Sequence, residues 1–234
     1  MILCIETATS VCSVALCDRE RIISSRENSE GKSHASLLTV YISELFNELK
    51  IKASDLEAVA VSKGPGSFTG LRIGVSVAKG IAFRASIPLI GIQTMVAMYH
   101  GISPVAASLY GLSGNSLYCP MLDARRMEIF YSLFDASGKM KKEICAEIIN
   151  TDSFRDIPED VRILFFGTGA GKCTSVLARK NNAFDADFKT SAQHMRLPAF
   201  NALDSGKFED TAYFEPFYLK DFIATVPRKN IFGQ

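Results

Sequence analysis

The stretch SKGPGSFTGLRIGVSVAKG, residues 62–80, holds five glycines, one proline and one arginine. Its reading decides the fold, because a loop so rich in glycine either cradles a phosphate or turns the chain sharply into a helix. The dinucleotide fingerprint requires G-x-G-x-x-G, and Gly64, Gly66 and Gly70 set the last glycine one residue too far. Pro65 also removes a backbone donor where a phosphate cradle needs one. The segment GTGAGKC, residues 167–173, ends like a P-loop, but its first glycine would fall on Phe166 and Cys173 stands where a magnesium-binding hydroxyl belongs. Both spacings argue for a turn that delivers a helix N-terminus. Such an end still attracts anions. Ser67 and Thr69 there, with Glu6 and Asp123 at the ends of strand-like runs, are the candidate cofactor-binding residues, and capping a turn is the structural alternative for the two acids.

Upstream of the loop, ILCIETA, SVCSVALCD and RIISSREN read as three strands, the first buried and the second alternating. A helix follows from Ser33, its expected N-cap, with Leu37, Leu38, Tyr41, Ile42, Leu45 and Leu49 at helical spacing. LEAVAVSKG is a fourth strand. The loop then leads into a helix over about 70–84, and IPLIGIQ is a fifth strand.

The second half repeats the order. LYCPMLD, EIFYSLFDASG and KKEICAEIIN read as strands, a short helix starts at Thr151, VRILFFG is a strand and GKCTSVLARKN a helix. Glu6 and Asp123 both end a strand before a polar turn. Two βββαβα units predict an α/β protein of two lobes, residues 1–100 and 101–234, on the duplicated actin-like, sugar-kinase-like plan.

Composition sets outer limits. Hydrophobic residues make up 47% and charged residues 22%, enough for a sizeable core, and the formal net charge is +1. A protein that binds nucleic acid alone usually carries a basic stripe, whereas the basic runs here are short. Residues 85–122 hold no Asp, Glu, Lys or Arg, yet prolines, glycines and polar residues interrupt them, so buried core is expected rather than a membrane span. The start lacks a basic leader and meets Glu6 early, so no secretory signal is expected. Six cysteines form no CxxC pair, which fits small buried side chains in a reducing cytoplasm.

The helix after the loop places Gly70, Gly74, Ala78 and Ala82 on one face. A face without bulk lets another element approach closely, either this chain's own sheet or a helix of another chain. On the second alternative the docking face consists of Gly74, Ala78 and Ala82 with Leu37, Leu38, Tyr41 and Leu45, and Arg72 anchors a carboxylate; replacing Ala78 by leucine would then sever docking without disturbing the fold. A bare face of this kind predicts a weak homodimer. Catalytic machinery is sparse. The histidines 34, 100 and 194 sit in unrelated contexts, no G-x-S-x-G elbow occurs, and His34 has no histidine partner at i+4.

Taken together, CIETATSVCSVAL, SKGPGSFTGLRIGVSVAKG, MLDARRMEIFYSLF and EPFYLKD resemble the bacterial TsaB family, also called YeaZ. The resemblance implies an actin-like fold in two lobes and a part in making N6-threonylcarbamoyladenosine at position 37 of tRNA. It implies pairing through the N-terminal helices with TsaD, the subunit that carries the transfer chemistry on a metal held by a histidine pair; Leu38 stands here where the second histidine would fall. A TsaE-like ATPase joins the assembly, tRNA is met through the complex, and no cofactor is expected for this subunit alone, ATP with magnesium belonging to the complex. The competing expectation is a small actin-like ATPase or kinase acting alone, with Glu6 and Asp123 near its metal and phosphate.

Overall fold

The structure, a computed structural model, describes residues 1–31, 34–102 and 108–219. The expected N-cap Ser33 and the tail TVPRKNIFGQ lie outside the described residues. The first sheet contains β1 (Ile2–Glu6), β2 (Cys12–Cys17), β3 (Ile22–Asn28), β4 (Ala58–Gly64) and β5 (Leu89–Gln93), in the order β3-β2-β1-β4-β5. β1, β2 and β3 form an antiparallel meander, while β4 runs parallel to β1 and β5 parallel to β4. The second sheet contains β6 (Leu117–Asp123), β7 (Glu128–Asp135), β8 (Met140–Ile148), β9 (Ile163–Phe166) and β10 (Ala183–Asp185), in the order β10-β9-β6-β7-β8. Its pairings repeat those of the first sheet, β9 running parallel to β6 and β10 parallel to β9. This is the two-lobed, duplicated actin-like plan.

Helices cover the first sheet on both faces. α1 (His34–Leu49) and α2 (Phe68–Ala85) lie on one face, where Leu38, Ile42 and Leu45 of α1 and Val75, Ala78 and Ala82 of α2 meet Leu3, Ile5, Val14, Val59 and Val61. The spacing of those apolar positions is what makes each helix one-sided. Ser67 caps α2 by accepting the Gly70 N–H at 3.3 Å, and Ser86 closes it in the left-handed region at φ 56°. On the opposite face, Ile2, Cys4, Ala60 and Ile90 meet Met195, Ala199 and Phe200. α3 (Thr94–Gly101) joins the lobes, its Met95 and Met98 packing with Leu122, Phe134 and Phe166 of the second sheet.

Two helices expected in the second half differ. From Thr151 the chain makes only turns: Asn150 Oδ1 accepts the Asp152 N–H, Ser153 Oγ accepts the Asn150 N–H, and Phe154 sits at φ 65°. Such local side-chain bonds compete with helix formation. GKCTSVLARKN is helical only as α4 (Ala170–Cys173), where Thr174 Oγ1 turns back onto the Gly171 carbonyl at 3.0 Å.

The chain also crosses back. After β10 it returns to the first lobe through α5 (Arg196–Asp204), and residues 207–219 then run along β5 and α2. Glu209 N–H donates to the Leu89 carbonyl at 2.8 Å, Glu209 pairs with Lys63 at 2.9 Å, Lys79 donates to the Ala212 and Phe214 carbonyls, and Phe217 N–H donates to the Lys63 carbonyl. A division at residue 100 separates the two sheets but not the two lobes, because the C-terminal segment covers the first. Among the described residues, no helix is long and apolar enough to cross a membrane.

The packing of α2 makes a paired prediction. A Cβ at Gly70 would fall 2.1 Å from the Thr7 carbonyl oxygen, a backbone atom that cannot step aside, whereas a Cβ at exposed Gly80 meets nothing within 4 Å. Gly70→Ala is expected to destabilise by about 1–3 kcal/mol, and Gly80→Ala to stabilise by about 0.4–1 kcal/mol. Urea unfolding of both variants measures this, and equal effects would contradict the packing.

Candidate docking face and inter-lobe cleft

Two surfaces compete for function: the cleft between the lobes and the outer face of α1 and α2. The cleft is a cavity of about 840 Å³. Its walls are the β1–β2 turn at Ala8–Ser10, the start of α2 from Gly66 to Gly70, the β6–β7 turn at Asp123–Arg125, Thr168, and Phe217–Leu219 of the returning C-terminal segment. Ser67 and Thr69 line it as expected, although the Ser67 hydroxyl is engaged as the cap of α2. His34 also lines it, and its Nε2 lies 3.1 Å from the Val11 carbonyl.

The two acids behave differently. Asp123 lines the cleft, and its Oδ1 pairs with the Lys172 ammonium and accepts the Arg125 N–H at 2.7 Å. Lys172 also donates to the carbonyls of Arg126 at 2.6 Å and Glu128 at 2.7 Å. Burial pushes the Asp123 carboxyl up, but Lys172 and the Arg125 N–H outweigh it and hold the group below its usual range. Glu6 is fully buried and outside the cleft lining. Its Oε1 accepts the Ala8 N–H at 2.6 Å, while Oε2 has no partner among the described residues. Burial raises its pKa to about 7, against the opposing bonds from Ala8, Ser62 and Thr7.

The actin-like plan implies a magnesium-bound nucleotide at this cleft, and the donors present do not fit one. The carboxylate facing the cavity is committed to a lysine, the other acid supports the β1–β2 turn from behind, and no group of three His, Cys, Asp or Glu side chains gathers among the described residues. Glu6 and Asp123 therefore do not stand together as metal and phosphate helpers. A Cβ at Gly66 would fall 2.3 Å from the Ala8 carbonyl, so this glycine serves close backbone packing.

The docking face expected from small residues needs a correction. Gly74, Ala78 and Ala82 are buried against the chain's own sheet, and a Cβ at Gly74 would meet Thr7 Oγ1 at 2.2 Å. Leu38 and Leu45 are buried in the same layer. None of these five has surface to offer a partner, and Ala78→Leu would overpack the core rather than only sever docking. Leu37 and Tyr41 are half-buried, and Arg72 is exposed with its guanidinium 4.2 Å above the Phe68 ring.

The outward side of the same helices carries a different apolar row. Ile73, Val77 and Ile81 recur every fourth residue and are partly buried at the edge of the core layer, next along α2 to exposed Gly80 and to Phe83 at 80% exposure. The row was visible in the sequence one position ahead of the small residues, since α2 has more apolar positions than a one-sided layer uses.

Comparison with known proteins identifies the fold's relatives. A family model described as "TsaD: tRNA N6-adenosine threonylcarbamoyltransferase" matches residues 21–200, more than half of the chain. The tRNA threonylcarbamoyladenosine biosynthesis protein TsaB of Escherichia coli (strain K12) is 26% identical over 95% of this chain and 96% of its own length. The chain belongs to this family, on its TsaB (YeaZ) branch. A tRNA N6-adenosine threonylcarbamoyltransferase of Thermosipho melanesiensis is 31% identical over 41% of this chain and 34% of its own length. YeaZ from Pseudomonas aeruginosa shares the fold, with a TM-score of 0.76, 24% identity and coverage of 93% and 99% of the two chains.

Glu6 makes the site's pH prediction. Its pKa rises from 4.5 in the unfolded chain to about 7 in the fold. The folded state thus holds the extra proton, so this contribution to stability is fully present below about pH 4.5 and is lost as pH climbs to about 7, about 3 kcal/mol in all. Glu6→Gln keeps an oxygen for the Ala8 N–H and removes the charge. Denaturant unfolding at about pH 5 and about pH 8 should show the variant gaining on the wild type at the higher pH; a constant difference between them would contradict a protonated buried Glu6.

Proposed function

We propose that this chain is a non-catalytic scaffold subunit of the complex that transfers threonylcarbamoyl to adenosine 37 of tRNA. It holds a TsaD-like catalytic subunit against the outer face of α1 and α2. The observation that carries this reading is exposed Phe83 next to exposed Gly80 on α2, with the partly buried apolar row Ile73, Val77 and Ile81 at their base. An apolar strip flanked by a glycine with open space above it suits a partner helix approaching closely. Membership of the TsaB branch, and a relative named for threonylcarbamoyladenosine biosynthesis that aligns over nearly the full length, support the pathway.

In this reading the chain needs no cofactor of its own; ATP and magnesium act at the level of the complex through a TsaE-like ATPase, and tRNA is engaged by the assembly. The near-neutral net charge of +1 agrees with tRNA binding that does not rest on this subunit alone. The same strip, left bare, supports weak self-association. The competing reading, an ATPase acting alone, asks for magnesium near Asp123, where Lys172 already stands.

Light scattering behind size exclusion tests the proposal. The wild-type chain mixed with the TsaD-like subunit of the same organism should form a one-to-one species. Gly80→Arg and Phe83→Glu change exposed positions and should weaken that species at least about tenfold, while the melting temperature stays within a few degrees. Undiminished association in both variants would overturn the placement of the interface. Heat from Mg-ATP binding to the isolated chain at sub-millimolar nucleotide would favour the competing reading.

A further inference from the structure

Away from both surfaces, on the sheet face opposite α1 and α2, the sulfurs of Cys4 and Cys17 lie 3.6 Å apart. The register explains the contact. Cys4 pairs with Ala15 and Ile2 with Cys17, so the two cysteines are diagonal neighbours on one face of β1 and β2. Strand twist brings one diagonal of an antiparallel pair together. Both side chains are fully buried, among Ala15, Ala58, Ala199 and Phe200. All six cysteines are free thiols, and the third one in these strands, Cys12, faces the other side of the sheet, in the layer of α1 and α2.

The surroundings make the two thiols unequal. The contact with Cys4, in which either sulfur can donate, holds the Cys17 thiol below its usual range. Burial and the Asp18 charge oppose this, the charges of Arg196 and the N-terminal ammonium assist it, and the Cys17 thiol also donates to the Ile2 carbonyl at 3.5 Å. The bond to Cys17 and burial push Cys4 well up. Cys12 has no such partner, and burial raises it to about 11. Of two thiols in contact, the one held lower is the better nucleophile once an oxidant reaches the site, and the second is placed to resolve its oxidised form.

We propose that Cys4 and Cys17 form an oxidisable pair, with Cys17 the residue a hydroperoxide attacks and Cys4 the resolving thiol. In the first step the Cys17 thiolate attacks one peroxide oxygen, the sulfur–oxygen bond forms, the oxygen–oxygen bond breaks, and the leaving hydroxide takes a proton to become water. In the second step the Cys4 sulfur attacks the Cys17 sulfenic acid. The disulfide forms, the sulfur–oxygen bond breaks, and the departing hydroxide takes the Cys4 proton as a second water. Two thiols are oxidised and one peroxide is reduced to two waters. Closing the gap from 3.6 Å to the bonded distance of about 2.05 Å requires side-chain rotation and a drawing together of the two strands, because diagonal positions stand about 7–8 Å apart. Cys17 ends β2, fully buried under α5, nine residues long with Arg196 at its start, so the proposed reaction requires a local opening of that cover.

The test uses the full chain with Cys12→Ala, which makes the assignment unique. Native protein is treated with hydrogen peroxide, free thiols are blocked with a maleimide, and the chain is cleaved after Glu6. Mass spectrometry should find residues 1–6 linked to the fragment that carries Cys17. Adding Cys4→Ala should leave Cys17 as a sulfenic acid trapped by dimedone, and adding Cys17→Ala should leave Cys4 unmodified. If either alanine variant fails to fold, the Cys12→Ala chain decides alone. Absence of the link in native protein, or oxidation of Cys4 and Cys17 no faster than that of Cys12 in the wild-type chain, would overturn the proposal.

Discussion

The close approach of α2 to the end of β1 is the constraint on which the rest of this structure depends. At Gly66, Gly70 and Gly74 a side chain would collide with the Ala8 carbonyl at 2.3 Å, the Thr7 carbonyl at 2.1 Å and Thr7 Oγ1 at 2.2 Å. Ser67 N–H then bonds the Ala8 carbonyl at 2.6 Å, fastening the helix start to the β1–β2 turn. Because the helix lies this close, Ala78 and Ala82 suffice to fill the layer further along, the branched row Ile73, Val77 and Ile81 packs partly buried at its edge, and Phe83 is left exposed. The glycine loop is therefore a packing device. It sets both the wall of the cleft and the direction in which α2 presents its remaining apolar surface.

A second consequence follows at the cleft. The acids at its two facing turns are already engaged. On one side the turn is supported from behind by buried Glu6, and on the other Lys172 bridges Asp123 and two carbonyls as an internal cation. The returning C-terminal segment adds Phe217–Leu219 to the rim and places Tyr218 against Phe68, 5.0 Å between ring centres. The duplicated architecture is thus retained around a cleft of about 840 Å³ whose facing acid is already paired with a lysine.

Much of the architecture was legible because the strands announce themselves. Runs such as ILCIE and AVAVSKG are apolar on both faces, as strands covered on both sides must be. The spacing of the glycines argued for a turn that delivers a helix, and α2 starts at Phe68 behind its cap Ser67. The direction of the small-residue face was not legible. Whether a glycine row faces the chain's own sheet or another protein depends on the position of Thr7 and Ala8, some sixty residues earlier in sequence. α5 was missed for a similar reason: its role in covering the first sheet is set by a tertiary crossing, and its short segment RLPAFNALD has weak one-sidedness. The helix expected at Thr151 was lost to Asn150 and Ser153, whose side chains bond the local backbone instead.

Hydrogen exchange of the isolated chain against the chain mixed with its TsaD-like partner tests the central claim most directly. The account predicts new protection in peptides covering α1 and α2, residues 34–49 and 68–85, with the cleft turns at residues 8–10 and 123–125 unchanged. Protection confined to those turns, with both helices exchanging as before, would contradict it.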